Sequence, residues 1–283
     1  MGPALNIAAL ARRTGVQPDT LRKWEHRYGV IRPRRTPGGQ RRYSDSDVAR
    51  VEWLKARLAE GYRIGEAAEL LGSIDLDLAP QSTEQLREAL FARVAASEAA
   101  GIEQVLAQTF GMVSVEDALT EVIVPVLQRV GTAWAEGELS VAQEHLASSV
   151  IRAHLERLLA DTRGALRGVA VLACAPGEQH ELGLLMLAIL LRADGWQVAY
   201  LGADTPVSEA VRLAEQLEAT YLCLSATMAD KLAGLVEGVA GTTLRETTTL
   251  VVGGRALDER VAAQLGARFI GTELDAAVPA LRA

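Results

Sequence analysis

Cys174-Ala-Pro-Gly-Glu-Gln-His-Glu-Leu-Gly183 decides how this chain is read. It stands between an apolar run, Val169 to Cys174, and a run from Glu181 to Arg192 in which Leu184, Leu185, Leu187, Ala188 and Leu191 recur at helical spacing. The first run is of the kind a parallel sheet buries on both faces, and Pro176-Gly177 ends it. His180 is therefore expected at the carboxyl end of a strand, where doubly wound sheets bind ligands. An imidazole there can reach a metal. Glu178, two residues earlier, is placed to hydrogen-bond the other ring nitrogen, fixing the tautomer and making the ring a better donor. Gly183 lets something bulky lie against the helix start. A lone histidine in such a loop also fits a plain, partly exposed polar residue, so the reading depends on what accompanies it.

Two segments downstream accompany it. They are Ser225-Ala-Thr227, after the run Tyr221-Leu-Cys-Leu, and Gly253-Gly254, after Thr249-Leu-Val-Val. In order and in gaps, Glu178-x-His180-x-x-Gly183 with these two segments resembles the signature of cobalamin-binding domains. The resemblance implies a Rossmann-like α/β domain over residues 167–283. In it His180 replaces the cofactor's own dimethylbenzimidazole base as lower cobalt ligand. Ser225 and Thr227 line the displaced nucleotide tail, and Gly253 and Gly254 make room for it. Glu178 stands where many members carry aspartate, which keeps the carboxylate and lengthens its reach.

The chain has 283 residues, 49% hydrophobic and 23% charged, enough for two or three domains with real cores and unlike a disordered or fibrous sequence. It shows no charged-then-apolar leader and no uninterrupted apolar run of membrane length, so a cytoplasmic protein is expected. Cys174 and Cys223 both fall in expected strands, as small buried hydrophobes suited to a reducing compartment. The net charge of −7 hides an asymmetry. Residues 1–72 hold 14 lysines and arginines against 8 acidic residues, a net of +6, which leaves 15 against 28, or −13, for the remainder. Basic charge gathered at one end is a footprint for nucleic acid.

That basic end opens with Asn6 as a helix cap, then Ile7, Leu10 and Ala11 on one face, and breaks at Thr14-Gly15. Pro18 suits the first turn of a second helix, where Leu21, Trp24 and Tyr28 share a face and Thr20, Arg22, Lys23 and Arg27 lie on others. Two short helices joined by a glycine turn form a helix-turn-helix, whose second helix enters the major groove. Arg32-Pro-Arg-Arg-Thr-Pro-Gly-Gly-Gln-Arg-Arg-Tyr43 follows, a hairpin with five arginines that makes a poor core and a good phosphate clamp. Alone it would equally suit a solvated charged loop. From Ile7 to Leu71 the chain resembles the winged helix-turn-helix of MerR-type regulators, through Leu21-Arg-Lys-Trp-Glu25, Thr36-Pro-Gly-Gly-Gln-Arg-Arg-Tyr43 and the Ser44-Asp-x-Asp helix start. A DNA-binding domain is expected over residues 1–75. Arg22 and Lys23 are the candidates for base-edge or nearby phosphate contacts, while Arg34, Arg35, Arg41 and Arg42 should mostly grip backbone.

MerR-type proteins normally dimerise through a long helix just after this domain, whereas here Gly72 to Pro80 reads as a loop. Segments near Thr83–Ala95, Ser97–Phe110, Ser114–Val130 and Ser140–Leu159 then carry apolar residues at helical spacing. Breaks are expected at Gly101, Gly111 and Gly131 to Gly137, which is the pattern of a four-helix bundle over residues 80–162. Pro125 is expected to kink the third helix, and Ser140-Val-Ala-Gln143 is a capping box that starts the last. Trp134 alone suits a core position, and Glu144-His145 an ordinary polar helix face. With the cobalamin signature directly behind, Trp134-Ala-Glu-Gly-Glu-Leu-Ser-Val-Ala-Gln-Glu-His145 resembles the helical cap of CarH-type photoreceptor repressors. The resemblance implies that Trp134 covers the upper face of adenosylcobalamin and that Glu144 and His145 contact its adenosyl group.

The resemblance thus implies a multidomain fold: a winged helix-turn-helix, a four-helix bundle and a Rossmann-like cobalamin-binding domain. It also implies a regulator that is not an enzyme, expected to repress. Adenosylcobalamin assembles it in the dark into a homo-oligomer, dimer or tetramer, on double-stranded operator DNA, and light cleaving the cobalt–carbon bond releases it. Members that form a bis-histidine adduct on illumination carry a histidine after the tryptophan, where this chain has Ala135, so the illuminated form is expected to lack that spectral shape. Two alternatives remain: a light-independent sensor of cobalamin or another tetrapyrrole, and a corrinoid carrier for methyl transfer, which has no use for a DNA reader. No Ser-His-Asp grouping, phosphate-loop glycine pattern or zinc-type cysteine cluster points to other chemistry.

Overall fold

The computed structural model describes residues 5–35, 40–59, 61–72, 82–161 and 167–282. The chain divides into two compact units, Met1–Glu144 and His145–Ala283.

The first unit begins with helices α1 (Ile7–Thr14) and α2 (Pro18–Tyr28). Asn6 caps α1 by accepting the Ala9 N–H at 2.8 Å, and Gly15 ends it in the left-handed conformation. Strands β1 (Arg34–Arg35) and β2 (Arg41–Arg42) pair antiparallel, Arg34 opposite Arg42 and Arg35 opposite Arg41. The expected turn Thr36 to Gly39 lies outside the described residues. Helix α3 (Asp45–Ala59) starts at a reciprocal cap: the Ser44 N–H donates to Asp47 Oδ2 at 2.8 Å and the Asp47 N–H to Ser44 Oγ at 3.2 Å. The other oxygen of buried Asp47 accepts the Arg32 N–H at 2.8 Å, so one carboxylate fixes both the helix start and the approach to the wing. Helix α4 (Ile64–Gly72) closes this part. Leu10, Leu21, Trp24, Ile31, Tyr43, Val51 and Leu54 form its core, so the apolar faces of the helices and the end of β2 pack on one another. Of the expected loop from Gly72 to Pro80, residues 73–80 lie outside the described residues.

Helices α5 (Thr83–Ala95), α6 (Ala99–Met112), α7 (Val115–Asp117) and α8 (Val124–Ala135) follow, with a π-helical stretch, Ala118–Ile123, between the last two. Helix α9 (Val141–Asp161) starts in the first unit and runs on into the second. Leu86, Leu90, Ile102, Leu106, Leu119 and Ile123 are fully buried between α5, α6 and the π-helical stretch. The first two breaks do not fall at the expected glycines, whereas the third includes Gly137, which takes a left-handed φ of 78° just past α8. Gly101, Gly111 and Gly131 lie inside helices, and the chain turns at Ala96 to Glu98, at Val113-Ser114 and from Glu136 to Ser140. Capping groups set these ends: Ser114 accepts the Asp117 N–H at 3.0 Å, and Ser97 takes a left-handed φ of 58°. A Cβ at Gly101 would stand 2.7 Å from Arg93 Cδ, an exposed side chain paired with Glu98 that can shift aside.

In the second unit five parallel strands lie in the order β4-β3-β5-β6-β7: β3 (Val169–Cys174), β4 (Gln197–Gly202), β5 (Tyr221–Ser225), β6 (Thr249–Gly253) and β7 (Arg268–Phe269). Helices α10 (Leu182–Ala193), α11 (Val207–Gln216), α12 (Leu232–Ala240), α13 (Glu259–Gln264) and α14 (Leu274–Arg282) connect and follow them. The order reverses at β3, so the chain leaves β3 and β5 toward opposite sides and opens a crevice at their carboxyl ends. Helix α10 is more enclosed than its one-faced spacing suggests. All eight residues from Leu184 to Leu191 are buried, because it packs on β3 and β4 and also against α14. Among the described residues no helix is long and apolar enough to cross a membrane.

Candidate functional site

The loop after β3 sits at that crevice. Glu178, with no exposed surface, is its centre. Its Oε1 accepts the His180 backbone N–H at 2.9 Å and lies 2.6 Å from His180 Nδ1. Its Oε2 accepts the N–H groups of Thr227 and Met228, just beyond β5, at 2.8 and 2.9 Å. One carboxylate therefore bridges both sides of the switch point. Burial pushes its pKa up, but the hydrogen bonds from His180, Met228 and Thr227 outweigh that and hold it at about 2. An ionised Glu178 makes Nδ1 the protonated nitrogen and leaves Nε2, on a side chain 60% exposed, as the lone-pair donor.

The rest of the loop is clasped from the β4 side. Asp204, with a left-handed φ of 46°, accepts the Gly177 N–H at 2.6 Å, and its own N–H donates to the Glu178 carbonyl at 2.9 Å. Glu181 accepts the Tyr200 hydroxyl at 2.9 Å and the Ala203 N–H at 3.2 Å, and pairs with Arg152 of α9 at 3.4 Å. Burial and the Glu181 charge raise the Tyr200 pKa, so the phenol stays a donor. Ser225 ends β5, its carbonyl accepting the Ala175 N–H at 2.8 Å. At Gly254, φ 115°, a Cβ would stand 2.4 Å from the Ala226 carbonyl oxygen, so the close approach of these two loops itself demands glycine. Gly183 is exposed, with no heavy atom within 4 Å of where its Cβ would stand.

The structure thus brings Glu178, His180, Ser225, Thr227, Gly253 and Gly254 to one sheet edge. Asp204, Glu181 and Met228 belong there too but carry no spacing signal, since their partners come from other strands' loops. Trp134, at the end of α8 in the first unit, is 49% exposed and is not a core residue. Glu144 is half-buried and His145 exposed, next to each other on α9. That helix starts at the expected capping box: the Ser140 N–H donates to Gln143 Oε1 at 2.9 Å and the Gln143 N–H to Ser140 Oγ at 3.3 Å. On α2, Arg22 and Lys23 are exposed, Arg22 pairing with Asp19 at 2.9 Å. Arg42 donates to Gln40 at 3.3 Å and Arg41 pairs with Glu25 at 2.7 Å, while the Arg34 and Arg35 side chains lie outside the described ones.

Among the described residues no three His, Cys, Asp or Glu side chains gather as a bare metal site. A single imidazole fixed by a carboxylate suits a metal whose other positions are filled by an organic macrocycle. Residues 5–74 match the family described as MerR HTH family regulatory protein, and residues 86–159 and 168–281 match two described as B12 binding domain. A helix-turn-helix reader ahead of such domains defines a cobalamin-binding transcriptional regulator of the MerR class.

The chain is 38% identical over 233 residues to the HTH-type transcriptional repressor CarH of Myxococcus xanthus, covering 78% of this chain and 77% of that one. It is 35% identical over 276 residues to the HTH-type transcriptional repressor CarA of the same organism, covering 94% and 92%. By these similarities the chain belongs to the CarH-type regulators. The solved monomethylamine corrinoid protein of Methanosarcina barkeri, 20% identical, covers 71% of this chain and 99% of its own with a TM-score of 0.58, a likeness of fold.

Proposed function

We propose that the chain is a light-responsive repressor that holds double-stranded operator DNA in the dark as an adenosylcobalamin-dependent homo-oligomer, dimer or tetramer, and releases it in light. The observation that carries this reading is the exposed His180 ring fixed by buried Glu178 at 2.6 Å, in a chain that begins with a DNA reader. When bound, adenosylcobalamin supplies a cobalt–carbon bond that green light breaks. His180 Nε2 would be the lower ligand, with Glu178 holding its tautomer. Ser225, Thr227, Gly253 and Gly254 would flank the nucleotide tail and Gly183 the edge of the ring. Helices α5 to α9 are read as a four-helix bundle that presents Trp134, Glu144 and His145 to the upper ligand. The half-exposed Trp134 supports this, because its ring is accessible and offers a large flat apolar surface to a ligand. Light acts on assembly only as far as the dark and illuminated cofactors differ in affinity for the assembled state.

Gel filtration of the protein with adenosylcobalamin in darkness, then after green light, tests the reading. A larger species that shrinks only in light is expected. His180→Ala should lose cofactor on the column and shift the dark spectrum; an unchanged spectrum would remove His180 as ligand. Ala135 favours a second reading, a light-independent cobalamin or tetrapyrrole sensor, whose size would change on cofactor addition and ignore light. On the first reading the illuminated spectrum lacks a bis-histidine shape, and finding that shape in a His145→Ala variant would refute this expectation.

A further inference from the structure

The wing of the DNA reader carries two adjacent arginines that the strand sends opposite ways. Successive residues of a strand face opposite sides. Arg42 reaches Gln40, whereas Arg41 Nε donates to Glu25 Oε1 of α2 at 2.7 Å. The second Glu25 oxygen accepts the Tyr43 hydroxyl at 3.1 Å. Tyr43 is 1% exposed, a core residue whose backbone also pairs with Leu5 in both directions at 2.8 Å. The Glu25 side chain is only 16% exposed, unlike the 45% of Arg41. Burial, then the Glu25 charge and hydrogen bond, push the Tyr43 pKa up to about 12, so the hydroxyl remains a donor to Glu25. A carboxylate beside a DNA-binding helix repels phosphates, and it is spared that role only where it is used internally.

We infer that Glu25 is a positioning residue that clasps the wing to the recognition helix through Arg41 and Tyr43, and that Arg41 is a strut of this clasp rather than a phosphate ligand. The clasp sets the angle at which Arg42 and the neighbouring wing arginines meet the duplex. This inference rests on the DNA reading of the domain and departs from the expectation that all four wing arginines grip backbone.

The test uses the full chain with adenosylcobalamin in the dark and a duplex that the wild-type protein recovers from a random-sequence pool. Each phosphate that a variant no longer neutralises should flatten the plot of log affinity against log salt by about 0.9. Arg42→Ala should do so. Arg41→Ala should weaken binding roughly threefold to tenfold with the slope unchanged, and Glu25→Gln should weaken it in the same direction. Glu25→Gln combined with Arg41→Ala should be no weaker than Arg41→Ala alone. Tyr43→Phe removes only the hydroxyl and should repeat a smaller loss of affinity with an unchanged salt slope at temperatures well below its melting point, where the variant is still folded, which separates wing position from folding. A slope flattened by Arg41→Ala, or tighter binding in Glu25→Gln, overturns the inference while leaving the DNA reading intact. A wild-type protein that recovers no duplex overturns both.

Discussion

A buried carboxylate is costly unless every oxygen is bonded, and Glu178 meets that condition with four donors from three residues. Glu178→Gln keeps one acceptor oxygen and turns the other into a donor that faces two N–H groups. It should destabilise the second unit by roughly 2 kcal/mol in denaturant titrations at neutral pH. The pH dependence has a definite sign. The folded pKa, about 2, lies below the ordinary 4.5, so this stability is present above about pH 4.5 and drains away as pH falls toward 2. Glu178→Gln should flatten that acid limb, and an acid limb as steep as wild type would mean that other carboxylates carry it. The His180–Glu178 pair was legible because both lie in one short loop after a strand. The Thr227 and Met228 contacts were not, because they use backbone N–H groups that any residue but proline supplies. Glu25 stood inside a recognised motif, yet its partners, 16 and 18 residues on, appear only once the wing folds back.

Pro125 does not simply kink its helix. It lacks the N–H that would reach the Glu121 carbonyl four residues back, and its ring would press on that group. The preceding turn widens instead: the Val124 N–H reaches Leu119, five residues back, and the π-helical stretch ends there. The Glu121 carbonyl left over accepts Arg87 Nη1 of α5 at 3.0 Å, while Arg87 also pairs with Glu84. Arg87→Ala should therefore cost about 1 kcal/mol, and much less in a Pro125→Ala background, where residue 125 can donate to Glu121 itself. Equal costs in the two backgrounds, measured as a double-mutant cycle of melting free energies, would disprove the link. Apolar spacing located the helices to within a few residues, since burying a face is what spacing encodes. Two helix breaks follow Ser97 and Ser114 rather than Gly101 and Gly111, and the arginine that takes up the Glu121 carbonyl stands more than thirty residues earlier, which no local pattern carries.

At the scale of the molecule, a basic reader of +6 is joined to a remainder of −13, so duplex DNA attracts one end and is repelled by the bulk. Affinity should then depend on how many readers an assembly presents together. The salt slope for operator DNA should be larger for the dark, cofactor-loaded form than after green light, by about the ratio of subunits engaged. Equal slopes would mean that assembly adds no reader to the DNA. The order of a DNA reader, a helical segment and an α/β domain was legible because each period and each motif sits in its own stretch. The strand order was not, because the reversal at β3 is set by pairing. That pairing places Cys174 and Cys223 in adjacent strands, both buried. Burial, with the charges of Glu181 and Glu178 added at Cys174, pushes both thiols up to about 12. At neutral pH roughly one sulfur in 100,000 is then nucleophilic. An alkylating reagent should leave the native chain unmodified, and its slow incorporation would time how often the sheet parts, at two buried positions of adjacent strands and without any added label.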